Sequence, residues 1–543
     1  MTGKTRGLVR WVAGGIVGMA LVAGAVASPP ASLAGPPPPQ AAPTGQAATG
    51  VAGTIYYGAV PPGGGMNKPV IVFVQGLHGQ ASGWWTNGND MYADAYNAGF
   101  RTAFVDLTDA SGTGGSIWTN GRMLAGQLGT ITAHYGVSSV NVVAHSKGGL
   151  DTNAAIVHYG AGPRVQTLFQ LASPNWGSQL ADLSYSWWGG WLAAILGQRD
   201  DAVYSLQTGQ MSYFRSVTDS RAENGYVHYA TSAGTSHGSL FGKLWWGGAY
   251  LQPYGDNDGA VTLTSAHLPL GTHVFTDSRL DHDGMAVGHN TWSRVLPYAT
   301  SLWRGAAPAQ QPPPARAPVA APDPYAALNA ADIIRGGPLA GRAVERFPVE
   351  SGAQALNVAV LAPGPLTVSL HAPDGRRYRP TAVSSGAANV PLGTATQHIF
   401  QIAAPLAGEW QAEIGAQAPV ALARPAPPGA YLLVAEIQSD LRVDLTRPAG
   451  PPTFAPGAAP QFQVAARDRA GSLAGVQTEV HLSGDKGAPG STTRQGATPR
   501  VALPTAPGVY NLSLTVRGLD RRGLPFERSL TTSFGVAALP AQP

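Results

Sequence analysis

At 543 residues the chain is longer than one hydrophobic core usually supports, so about two to four domains are expected. Hydrophobic residues make up 44 % and charged residues only 12 %, with 70 Gly and 46 Pro, a balance that favours short strands and loops over long charged helices. A formal charge of +4 from scattered Lys and Arg excludes a nucleic-acid footprint, and zero Cys excludes a disulfide framework, a thiolate metal site and a cysteine nucleophile.

Residues 1–27 read as an export signal. Lys4, Arg6 and Arg10 precede the apolar run Trp11 to Val26, and Ala25-Val26-Ala27 offers a small-residue cleavage site. The expected location is therefore secreted, extracellular or at the cell surface, with no membrane span left after cleavage; a single anchor is the alternative reading. Residues 28–50 form a Pro/Ala/Gly-rich tether that cannot bury enough apolar surface to order itself.

Residues 51–304 alternate two textures. Val70 to Gln75, Arg101 to Leu107, Val140 to Ala144 and Val165 to Leu171 are apolar runs of the kind buried in parallel sheets. Met91 to Ala98, Gly121 to Tyr135 and Leu150 to His158 suit helices between them, which predicts an α/β domain with a mostly parallel sheet. A Pro-rich linker, 305–322, follows. Beyond it, short alternating runs broken by turns predict two β-sandwich (Ig-like) modules, 323–428 and 429–543, which carry no catalytic cluster.

Two serines compete for chemistry. Gly234-Thr235-Ser236-His237-Gly238 fits the G-x-S-x-G pattern in full, whereas Ala144-His145-Ser146-Lys147-Gly148 has alanine first. Such patterns are cheap in a chain this rich in Gly and Ala, so context decides: the motif works on a sharp turn from strand to helix that lifts the hydroxyl clear of the sheet. Ser146 follows a buried strand and precedes a helical stretch, whereas Ser236 has no clear helix after it.

A serine nucleophile needs a base, an orienting carboxylate and an oxyanion hole. The backbone N–H groups of Lys147, directly after the serine, and of Leu77, in the loop Gln75-Gly76-Leu77-His78-Gly79 after an early strand, are the expected oxyanion donors. Asp256 and Asp258 lie in a later turn, and Asp258 precedes Gly and an apolar run. His282, 24 residues beyond Asp258 in a polar run, is the favoured base and His289 the alternative.

VFVQGLHG, VVAHSKGG, LASPNWGS, DNDGAV and LDHDGM, in that order on an α/β pattern, resemble secreted bacterial lipases and esterases of the α/β-hydrolase superfamily. The resemblance covers about Pro69 to Arg304. It implies an α/β-hydrolase fold, an A-H-S-x-G nucleophile elbow at Ser146 and a triad acid at Asp258. It also implies a carboxylic ester hydrolase, a triacylglycerol lipase or carboxylesterase, acting through an acyl-enzyme without a cofactor. Structural calcium, common near the triad histidine of such lipases, would fall to Asp281 and Asp283, whose spacing does not match. Gln75 replaces the usual histidine, and Lys147 replaces an apolar or amide residue; its side chain is expected to point into solvent.

Trp176, Trp187, Trp188, Trp191, Trp245 and Trp246 lie between Ser146 and Asp258, as a lid or acyl platform or as filling of the domain's own core. They favour an apolar ester, met at an interface or a polymer surface. Two further readings stand beside the lipase or carboxylesterase: an extracellular polyester depolymerase of the polyhydroxyalkanoate type, and a cell-surface binding or adhesion protein with an inactive hydrolase domain.

Overall fold

A computed structural model describes residues 36–41, 50–112, 114–189, 199–238, 244–300, 324–325, 327–330, 332–384, 396–416, 429–448, 453–488 and 490–537. The expected export signal, the expected tether apart from residues 36–41 and 50, the Pro-rich linker and Trp191 lie outside them.

The first half is built on an eight-stranded sheet: β1 (Gln40–Ala41), β2 (Ile55–Tyr57), β3 (Ile71–Val74), β4 (Thr102–Val105), β5 (Val140–His145), β6 (Val165–Leu171), β7 (His228–Gly234) and β8 (Thr272–Asp277). Their spatial order is β1-β2-β4-β3-β5-β6-β7-β8. The six strands from β4 to β8 are parallel, β2 is antiparallel to them, and β1 at the edge is antiparallel to β2. The apolar runs explain this layout. Along β3 every side chain is buried, Val72 and Val74 in the core on one face, Ile71 and Phe73 in the core on the other, as a strand covered by helices on both sides requires.

Helices α1 (Met91–Asn97), α2 (Ile117–Tyr135) and α3 (Lys147–His158) follow β3, β4 and β5. Two of them start earlier than hydropathy suggests. In α2 the Ser116 hydroxyl accepts the Thr119 N–H at 3.1 Å, a cap that sets the start before Gly121. α3 begins at Lys147, directly after Ser146, because polar residues on its first turn are buried among partners that composition does not reveal.

The second half contains two β-sandwiches. One stacks a five-stranded sheet, including Asp332–Leu339, Ala355–Ala362 and Gly429–Gln438, on a four-stranded sheet around Phe347, Leu370 and Trp410. The other pairs Ala327–Ala330 with Arg442–Thr446 in one sheet and Gly508–Leu519 with Pro525–Val536 in the facing sheet. The expected join at 428/429 therefore moves: Gly429–Gln438 hydrogen-bonds into the middle of the first sandwich, between Asp332–Leu339 and Ala355–Ala362. The opening strand, Ala327–Ala330, belongs to the second. Run length and turn signals locate strands but not their partners, which is why neither exchange shows in the sequence.

The sandwiches pack on the α/β half through a largely apolar contact. Leu180 and Leu183 of α4 (Gln179–Tyr185), with Trp188, Trp246, Tyr250 and Leu251, share a core with Ile334, Ala359, Leu361, Leu432 and Val434. Trp176 joins the core of the second sandwich, and Trp187, half exposed, stacks on His481 at 5.0 Å between ring centroids. The tryptophans Trp176, Trp188 and Trp246 thus neither fill the α/β core nor stand free over the cleft. They are the seam between the two halves. Burying a large apolar side chain contributes about 1.5–3 kcal/mol, so this seam is a substantial attachment.

Among the described residues no helix is long and apolar enough to cross a membrane.

Candidate active site

Ser146 sits at the turn between β5 and α3 with φ 53° and ψ −132°. A non-glycine residue held at positive φ costs about 1–3 kcal/mol and persists only where the surroundings enforce it. Here the enforcement is close packing. A Cβ on Gly148 would lie 2.5 Å from the Gln75 carbonyl oxygen, and one on Gly149 would strike Ser173, so only glycine lets the turn sit this near β3 and β6. The Ser146 N–H is tied to the Leu171 carbonyl at 2.9 Å.

His282 and Asp258 arrive from loops beyond β7 and β8. His282 Nε2 is 3.0 Å from Ser146 Oγ, and His282 Nδ1 is 2.8 Å from Asp258 Oδ2. The other oxygen, Asp258 Oδ1, accepts the N–H groups of Ala260 and Val261 at 3.0 and 2.7 Å. The His282 N–H donates to the Asp258 carbonyl at 2.9 Å, so backbone and side chain register the two loops together. Burial pushes the His282 imidazole down, but the charge and hydrogen bond of Asp258 outweigh it and its pKa is raised above the ordinary 6.5. His145, lowered to about 4 by burial and the neighbouring His282, is neutral; its Nε2–H donates to the His282 carbonyl at 2.8 Å.

His289 lies elsewhere, on the helix Gly288–Thr300, exposed and paired with Asp90 at 3.0 Å. Ser236 follows β7 in a non-helical stretch, its hydroxyl accepting the Gly238 N–H at 3.3 Å.

Gly76 abuts the elbow: a Cβ there would be 2.6 Å from Ser146 Cβ and 3.1 Å from Lys147 N. The loop carrying Leu77 therefore borders both Ser146 and the Lys147 backbone. A cavity of about 310 Å³ opens above Ser146, with Leu77, Ala181, Val203, Leu206, Leu244 and Val261 among its apolar walls. Such walls suit an apolar group placed against one polar cluster.

The Lys147 side chain corrects the solvent expectation. It is 0 % exposed, with Nζ 3.0 Å from Asp109 Oδ2 and 3.0 and 3.1 Å from the two oxygens of Asp151. Burial opposes its charge, yet Asp151 and Asp109 more than compensate, and its pKa is raised. Asp151, four residues along α3, was a visible partner at helical spacing. Asp109, 38 residues back in the loop after β4, carried no signal.

Asp281 Oδ1 is occupied as a cap for the Gly284 N–H at 2.8 Å. Among the described residues no group of three or more His, Cys, Asp or Glu is arranged to hold a metal ion.

No protein-family model and no curated protein matches the chain. Among solved structures, the lipase BlEst2 of Bacillus licheniformis in its propeptide form is similar at 28 % identity and TM-score 0.71, over 89 % of this chain and 97 % of that one. The same lipase in its mature form is 40 % identical over 46 % of this chain and 100 % of that one, with TM-score 0.43.

Proposed function

Since the chain belongs to the lipase and esterase group of the α/β-hydrolase superfamily, we propose that it is a secreted carboxylic ester hydrolase in which Ser146, His282 and Asp258 form the catalytic triad. The supporting observation is the unbroken relay from Ser146 Oγ through His282 to an Asp258 whose second oxygen is held by two backbone N–H groups.

His282 Nε2 takes the Ser146 proton as Oγ attacks the ester carbonyl. Asp258 keeps the imidazole in the tautomer with hydrogen on Nδ1 and stabilises the imidazolium that forms. Negative charge on the former carbonyl oxygen rests on the N–H groups of Leu77 and Lys147, each worth about 3 kcal/mol in the transition state. The C–O bond to the alcohol breaks, the alcohol leaves with the proton from His282, and the acyl group stays on Ser146. Water, deprotonated by His282, then attacks the acyl carbon; the acid departs and Ser146 regains its proton. The apolar walls above Ser146 favour an alkyl acyl chain. Hydrolysis rates of wild type and Ser146→Ala across esters of increasing acyl length, and on a solid polyester film, test this. Rates that rise with acyl length in solution support an esterase or lipase; hydrolysis confined to the film points to a depolymerase, and no hydrolysis by wild type refutes an active enzyme.

A second reading concerns the sandwiches. The extensive match is to a lipase in propeptide form and spans nearly all of both chains, and the sandwiches cover the apolar seam beside the cleft. We therefore propose that they act as a propeptide. Activity measured before and after limited proteolysis tests it: a rise on loss of the C-terminal half supports the reading, and no change refutes it.

A further inference from the structure

We propose that Lys147 serves the oxyanion hole twice, its backbone as one donor and its side chain, through Asp109, as the positioning group for the loop that carries the other. The inference rests on the esterase reading above.

The loop Gln75 to Gly79 is held on both sides of Leu77. On one side Gly76 is packed against Ser146. On the other, the His78 N–H donates to Asp109 Oδ1 at 3.3 Å, with His78 at φ 53°, a strained conformation that needs an external hold. Fixing Gly76 and the His78 nitrogen fixes both peptide planes flanking Leu77, and with them the direction of its N–H.

Asp109 is set in turn by Lys147. Its Oδ2 takes the ammonium at 3.0 Å and also the Asn120 side-chain amide, which reaches on to Asp151 at 3.2 Å. Lys147, Asp109 and Asp151 are all buried, one cation between two carboxylates. Without the ammonium the two acids would face each other across Asn120 in a dry site, where unpaired charge is costly. Asp109 would then turn away, and the hold on His78 would weaken. His78 has one further anchor, Asp200 Oδ2 at 2.6 Å from its Nε2, which ties the side chain but leaves the peptide plane to Asp109. A surface lysine would not need this arrangement. An apolar residue could fill the space but could not orient Asp109.

The test uses the full chain with a soluble p-nitrophenyl ester and a fluorophosphonate that reacts with the nucleophile. Lys147→Met and Asp109→Asn are expected to lower kcat about 10–100-fold, as a misplacement near 1 Å does, with KM nearly unchanged and phosphonylation slowed in parallel. Asn141→Ala, at the end of β5 remote from Ser146, where the side-chain amide donates to the Ala299 carbonyl at 2.8 Å, controls for lost stability and should leave kcat intact. Lowered Tm with unchanged kcat in Asp109→Asn would overturn the proposal, and that variant decides the matter if Lys147→Met does not fold. Wild type without esterase activity would instead refute the functional reading on which it rests.

Discussion

His282 Nε2 stands 3.0 Å from Ser146 Oγ although 136 positions of chain separate the two residues. The approach is enforced from behind: His145, the residue before the serine, donates to the His282 carbonyl, and the His282 N–H donates to the Asp258 carbonyl. The imidazole is thus fixed by backbone contacts on two sides before its ring makes any contact of its own.

Asp258→Asn should keep the fold and lower kcat about 10⁴-fold, because an amide that donates to Nδ1 favours the wrong tautomer. His289→Ala, on a histidine paired with Asp90 at the surface, should change kcat less than twofold. Steady-state hydrolysis of one soluble ester by the three proteins checks both.

The acid limb of kcat/KM should lie above the ordinary histidine value of 6.5, since His282 must be neutral to accept the proton and its pKa is raised. In Asp258→Asn the limb should move to lower pH, because burial then acts unopposed by the carboxylate. The same shift has a stability consequence of opposite sense: the His282–Asp258 pair stabilises the fold fully below about pH 6.5, and that contribution fades as pH rises through the raised value. A pH–rate profile of each protein, with melting followed in parallel, reads both effects.

Gly76→Ala should abolish activity and lower Tm. Its Cβ would fall 2.6 Å from Ser146 Cβ and 2.9 Å from the His145 carbonyl oxygen, and neither is a flexible side-chain end. Retained kcat would mean that the loop can retreat from the serine, and that Leu77 is not held as described.

Asp182 gives the seam a pH dependence. It is buried beside the second sandwich, accepting Ser533 Oγ at 2.6 Å and Thr208 Oγ1 at 2.7 Å, and burial raises its pKa to about 6. The attached state binds the proton more tightly than the exposed carboxyl, so attachment is strongest below about pH 4 and loses up to about 3 kcal/mol as pH rises through 6. Melting of the full chain between pH 4 and 7 should show this slope, and Asp182→Asn should flatten it.

Much of the site was legible because its signals are local. A buried strand, a serine and paired glycines mark the elbow, and the 24-residue step from Asp258 to His282 carries a histidine into a polar loop. What was missed depends on partners distant in sequence. Lys147 looked like a surface residue because an acid at i+4 such as Asp151 suits an exposed helix face equally well, whereas Asp109, which completes the buried cluster, lies in another loop. Trp188 and Trp246 looked equally like a lid or a core, because the surface they meet comes from strands such as Gly429–Gln438. That strand's own place in the first sandwich is likewise fixed by pairing across nearly a hundred residues.

The most direct measurement is fluorophosphonate labelling of the native chain followed by peptide mapping. The label should appear on the peptide containing Ser146, be lost in Ser146→Ala, and persist in Ser236→Ala. Labelling on Ser236, or none on a folded chain, would contradict the assignment of Ser146 as the nucleophile.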